Sequence, residues 1–87
     1  MKEYVLVEFV AEGSERDILL AKLELLEDEF KMQEECAYTH SSPSPIYYIT
    51  GKICAQYASI IKLRDPFLAE RMRISYIPDE LKDKFRQ

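Results

Sequence analysis

The sequence predicts an α+β domain with its elements in the order β-α-β-β-α-β. Three observations lead there. An alternating apolar run from Tyr4 to Ala11 gives way, after Glu12-Gly13-Ser14, to a long helical period. A second change of the same kind separates Ile46–Thr50, rich in β-branched and aromatic residues, from the helical spacing after Lys52. Only two of the 87 residues are glycine, well under the roughly 7% average. Turns that need positive φ are therefore scarce, which disfavours a many-stranded barrel or sandwich.

The first strand places Val5, Val7, Phe9 and Ala11 on one face and Tyr4, Leu6, Glu8 and Val10 on the other. Both faces are largely apolar. A central strand fits this pattern, covered by helices on one side and by helices or a partner subunit on the other. Glu8, alone among apolar neighbours, either reaches water at a sheet edge, the favoured reading, or is partnered by a base.

Ser14 reads as an N-cap, with Glu15 and Asp17 placing negative charge on the positive end of the helix it starts. At 100° per residue, Leu19, Leu23, Leu26 and Phe30 form one apolar stripe and Ile18, Ala21, Leu25 and Met32 a second. The first is the expected core contact. The second asks for another partner, so Ile18, Ala21, Leu25 and Met32 are the candidate interface residues, and lysine at Ile18 and Leu25 is expected to break an assembly built on them.

Glu35 to His40 then extends as a second strand, and Ser41-Ser42-Pro43-Ser44-Pro45 is a loop, since proline fixes φ and restrains the residue before it. After the third strand, Lys52 to Leu63 reads as a helix with Ile53, Cys54, Tyr57, Ile60 and Ile61 on its apolar side. Asp65-Pro66 caps a short helix from Pro66 to about Met72. Arg73–Ile77 is the last strand, and Pro78 starts a C-terminal helical turn with Leu81 and Phe85 four apart. The sum is a ferredoxin-like split βαβ sandwich with a short extra helix and a C-terminal helical turn. It spans residues 1–87 as a single domain.

A composition 47% hydrophobic and 32% charged is that of a globular chain, not a disordered one. A chain this short buries only about 60–65% of its unfolded surface, which favours a supplement to the core such as self-association. No run approaches the roughly 20 apolar residues needed to span a bilayer, and no charged segment precedes a long apolar one at the N-terminus. The expected location is the cytoplasm, away from membranes, with Cys36 and Cys54 as reduced thiols.

The net charge of −4 conceals an asymmetry. Residues 1–36 carry eleven acids and four bases, −7; residues 37–87 carry five acids and eight bases, +3. Such a polarised chain can self-associate or present two electrostatic surfaces.

Catalytic and metal signatures are thin. Cys36 and His40 share a strand face and could begin a thiolate or metal site, with Glu34 or Glu35 beside them. One histidine and two cysteines without a closely spaced ligand pair do not make a zinc site. Thr50-Gly51-Lys52 lacks the remainder of a phosphate-binding loop and reads as a turn and cap. Neither a catalytic site nor a cofactor or metal is expected.

The function most consistent with these residues is a small non-enzymatic binding or regulatory module acting through protein–protein interaction, self-associating, most simply as a dimer. The alternative is a single-stranded nucleic-acid-binding protein. Tyr47 and Tyr48 would stack bases, and the basic second half, Lys52, Lys62, Arg64, Arg71 and Arg73, would contact phosphates. Against it stand the acidic net charge and the lack of the Lys/Arg-Gly-aromatic signature of an RNA-recognition sheet.

Overall fold

The alternation of the first strand is realised in full. In the computed structural model, which describes residues 3–38, 43–77 and 79, β1 (Tyr4–Glu12) buries every second side chain. Val5, Val7, Phe9 and Ala11 are at most 1% exposed. β1 pairs antiparallel with β3 (Ile46–Cys54), Val5 opposite Ile53 and Phe9 opposite Ile49. β3 pairs antiparallel with β2 (Phe30–Tyr38), and β1 with β4 (Met72–Tyr76). The result is a four-stranded antiparallel sheet in the order β2-β3-β1-β4, with β1 a central strand as its two-sided pattern requires.

Three helices, α1 (Glu15–Leu25), α2 (Ala55–Arg64) and α3 (Pro66–Arg71), complete a compact α+β domain. They contribute Leu19, Leu23, Ala58, Ile61 and Leu68 to the same core as Val5, Val7, Phe9, Ile49 and Ile53. All three therefore lie on one face of the sheet, and none of the described helices covers the other.

Several boundaries differ from the sequence reading, each for a local reason. α1 stops at Leu25, and Glu27, with φ of 52°, leads through a short 3-10 turn, Glu27–Glu29, into β2. Three consecutive acids at the negative end of a helix dipole oppose its extension. Phe30 and Met32, which the helical period places on α1, thus open β2 instead. Phe30 still enters the core, edge-on to Phe9 with ring centroids 5.6 Å apart, because an apolar residue at the right spacing for a helix serves equally as the first buried position of a strand.

β2 consequently starts five residues before the expected Glu35, and β3 runs four residues past Thr50. Ile49, Gly51 and Ile53 are buried at period two, so Thr50-Gly51-Lys52 is the middle of a strand and not a turn and cap. α2 begins at Ala55, whose N–H donates to the Glu3 carbonyl at 2.8 Å. Its buried side is Ala55, Ala58 and Ile61 with Tyr57 half-buried, while Ile60 faces outward.

The two predicted caps divide. Asp65 accepts a hydrogen bond from the Leu68 N–H at 3.2 Å, with Pro66 at the first helical position. Ser14 makes no side-chain cap; the neighbouring Glu15 carboxylate instead accepts from the Glu12 N–H at 3.0 Å. The expected C-terminal turn, with Leu81 and Phe85, and His40 of the expected second strand lie outside the described residues.

Candidate functional site

Strand register fixes which side chains share the uncovered face of the sheet. Taken across the strands in the order β2, β3, β1, β4, one row holds Lys31, Lys52, Leu6 and Tyr76. The next holds Glu34, Thr50, Glu8 and Arg73. A third holds Cys36, Tyr48 and Val10, and a fourth Tyr38, Ile46 and Glu12. Leu6, Val10, Ile46 and Tyr48 sit half-buried on the two central strands, with Tyr38 and Tyr76 exposed on the edge strands.

This face is charged but balanced. Lys31, Lys52 and Arg73 stand against Glu8, Glu12 and Glu34. Glu8 is not the solvated edge carboxylate expected from the sequence: β1 is central, and the Arg73 guanidinium reaches Glu8 from β4 at 3.0 Å. Lys31 lies over the Tyr4 ring, 5.4 Å from its centroid, and the Tyr38 and Tyr48 rings meet edge-on at 5.4 Å. These contacts hold large rings in place at a surface, where an apolar body with a polar tip suits binding.

The helical layer carries a second exposed group. Ile18 and Leu25 are 50% and 81% exposed, and Ala21 is exposed between them. Met32 is also exposed, but from β2. Arg16 and Lys22 locate it relative to α1: Arg16 donates to Glu35 of β2, one arm at 2.9 Å, whereas Lys22 donates to Asp65 at the start of α3 at 3.1 Å. On the helix wheel Ile18 and Leu25 lie within about 60° of Lys22 and roughly 160–180° from Arg16. The strand that carries Met32 is therefore on the opposite flank, and the four expected interface residues do not form one stripe.

The residues expected to bind nucleic acid are dispersed. Successive strand residues face opposite ways, so Tyr48 is on the open face and Tyr47 on the helix-covered one, its ring 5.2 Å from the Arg16 guanidinium carbon. Lys52 and Arg73 share the open face with Tyr48. Lys62 and Arg64 are exposed on α2, in the other layer. Arg71 is taken up internally: 19% exposed, it donates to Glu15 at 2.6 Å and to the Phe67 carbonyl at 3.0 Å, and its guanidinium lies 3.7 Å from the Phe67 ring centroid.

These ion pairs also set the local titration. Hydrogen bonds from Arg71 hold the Glu15 carboxyl below the ordinary range, and those from Arg16 do the same for Glu35. They tie α1 to α3 on one side and to β2 on the other. Sequence reasoning paired neither Arg16 with Glu35 nor Arg71 with Glu15, because partners 19 and 56 residues apart leave no spacing signal.

Cys54, at the end of β3 opposite Tyr4, is buried, as small apolar thiols usually are. Cys36 is half-buried on β2, and its thiol donates to the Glu34 carboxylate at 3.1 Å. That hydrogen bond, with lesser help from burial and the Glu34 charge, raises the thiol above its usual range. The thiolate is the reactive form, so alkylation of Cys36 by iodoacetamide is expected to be slower than that of free cysteine at pH 8. Glu34→Gln should speed it, and a rate equal to or above the free thiol before substitution would contradict the contact. Among the described residues no three His, Cys, Asp or Glu side chains are grouped to hold a metal ion, and no helix is long and apolar enough to cross a membrane.

The geometry thus offers two exposed surfaces, one broad and mixed on the sheet and one narrow and apolar on α1. Searches against known proteins add nothing to either: no family model, curated protein or solved structure matches the chain.

Proposed function

We propose that this chain is a small non-enzymatic binding module that works through protein–protein contact and self-associates through the open face of its sheet. The observation that carries the reading is the row-by-row composition of that face. Leu6, Val10, Ile46 and Tyr48 alternate on β1 and β3 with Glu8, Glu12, Thr50 and Lys52, with Tyr38 and Tyr76 on the edge strands and equal numbers of acids and bases across the face. Apolar and aromatic side chains mixed with charges of both signs are the composition of a non-obligate protein interface. The stripe of Ile18, Ala21 and Leu25 offers two large side chains flanked by Asp17 and Glu24, and is the smaller surface.

The finer architecture is the ferredoxin-like split βαβ arrangement with α3 added, and residues 1–87 make one such domain. Its support is the strand order: β1 and β2, joined through α1, have β3 between them, and β3 and β4, joined through α2 and α3, have β1 between them. In that arrangement one sheet face is left for a partner.

Nucleic-acid binding is the less supported reading. A strand of phosphates asks for an excess of bases along one groove, and Lys52 and Arg73 share their face with Glu8, Glu12 and Glu34. No salt-sensitive gel shift with single-stranded DNA or RNA is expected. Size-exclusion chromatography with light scattering tests the main reading: at micromolar concentration the mass should rise toward twice the 10.3 kDa of one chain, and a strict monomer would sink it.

A further inference from the structure

We propose that the occupant of the open sheet face is a second copy of the chain, stacked face to face about a two-fold axis that runs along the strands between β3 and β1, so that Glu34 of each copy meets Arg73 of the other. The inference rests on the self-association reading above and adds its geometry.

A two-fold axis along the strands keeps each row at its own height and reverses its order, which lays β2 over the partner's β4 and β3 over its β1. The row Glu34, Thr50, Glu8, Arg73 then falls on its own reverse. Each Glu34 carboxylate stands opposite a guanidinium, and each Glu8 opposite a threonine. In the next row Lys31 meets Tyr76, a cation against an aromatic ring, and Lys52 meets Leu6. Tyr48 and Val10 meet each other twice. No like charges face one another at any position in these three rows, and the Tyr48 and Val10 pairs bring apolar side chains of the two copies together.

One feature of the single chain agrees with a partner of this kind: Glu34 accepts from the Cys36 thiol and has no basic partner among the described residues. Three strands of nine residues and one of five, about 4.8 Å apart, give a face of roughly 500 Å², so the dimer would bury on the order of 1,000 Å², at the low end of specific interfaces. Stacked sheets cross at about 30°. The Glu34–Arg73 row lies at mid-length, where that tilt displaces the edge strands by only a few ångströms, within reach of an arginine side chain.

The test is a pair of charge reversals, Glu34→Lys and Arg73→Glu, followed by native mass spectrometry and sedimentation equilibrium of each variant and of their mixture. Alone, each variant sets like charges against each other at two places and should weaken the dimer by about tenfold or more. Mixed, the two bases of E34K face the two acids of R73E, and the heterodimer should predominate over both homodimers. Glu34 is exposed on an edge strand, so if R73E folds poorly the comparison of E34K with E34Q carries the test, the lysine variant being the weaker dimer. A wild-type dimer whose affinity neither reversal changes, or a mixture without heterodimer, would overturn this arrangement and leave self-association standing. A wild-type protein that stays monomeric would overturn both.

Discussion

Gly51→Ala is expected to cost the fold at least about 3 kcal/mol, the upper end of what overpacking a core usually costs. Gly51 is buried in the middle of β3, opposite Val7 of β1 and Met32 of β2. A Cβ added there would lie 2.8 Å from two carbons of the Phe30 ring and closer still to the Lys31 backbone carbonyl oxygen. Neither neighbour can give way cheaply. The carbonyl belongs to the ladder between β2 and β3, and the Phe30 ring is held edge-on against Phe9, which is fully buried. The glycine is required by space and not by a left-handed backbone, since the only described glycine with positive φ is Gly13. Urea denaturation followed by far-UV circular dichroism measures the loss; a change below about 1 kcal/mol would mean that the close approach of β2 to β3 is not as described.

Val10→Lys is expected to weaken self-association by about 30-fold or more while leaving the isolated fold near its original stability. Val10 lies on the open side of β1, opposite Tyr48 of β3. In a face-to-face dimer both would be desolvated at the centre of the interface, where single side chains reach about 2 kcal/mol or more. A lysine there must either bury its ammonium unpaired or hold the two sheets apart. In the free chain the same side chain extends into water, so its cost to folding is small. The paired change Ile18→Lys and Leu25→Lys is the control: it places two charges on α1, where both residues already face solvent, and dimer affinity should stay within a factor of about two. Equal loss in both variants would remove the distinction between sheet and helix surfaces.

What the sequence conveys about this fold depends on whether the deciding interaction is local. The alternation of Val5, Val7, Phe9 and Ala11 is local, and so is the Asp65-Pro66 cap; both are legible. The helical exposure of Ile18, Ala21 and Leu25 is legible for the same reason. The end of α1 is not, because Phe30 satisfies two periods at once and the choice falls to the acidic 3-10 turn at Glu27–Glu29. That single shift moves Met32 off the helix and starts β2 early.

The continuation of β3 through Gly51 was hidden by Thr50-Gly51-Lys52 resembling a turn, when the glycine in fact makes room for an aromatic ring from the neighbouring strand. Tyr47 and Tyr48 are adjacent in sequence, and only the register with β1 tells which faces the helices. Glu8 and Arg73 are 65 residues apart, and no pattern in the chain announces their meeting. The open face is therefore assembled from four strands whose individual sequences show little of it.

The central claim is that a second protein surface covers this face, and a methyl NMR dilution series addresses it most directly. As the concentration falls through the association range, the methyl signals of Leu6, Val10 and Ile46 should shift together toward monomer positions, while those of Ile18 and Leu25 stay fixed. Shifts confined to Ile18 and Leu25, with Leu6, Val10 and Ile46 unchanged, would place the contact on α1 and contradict the account.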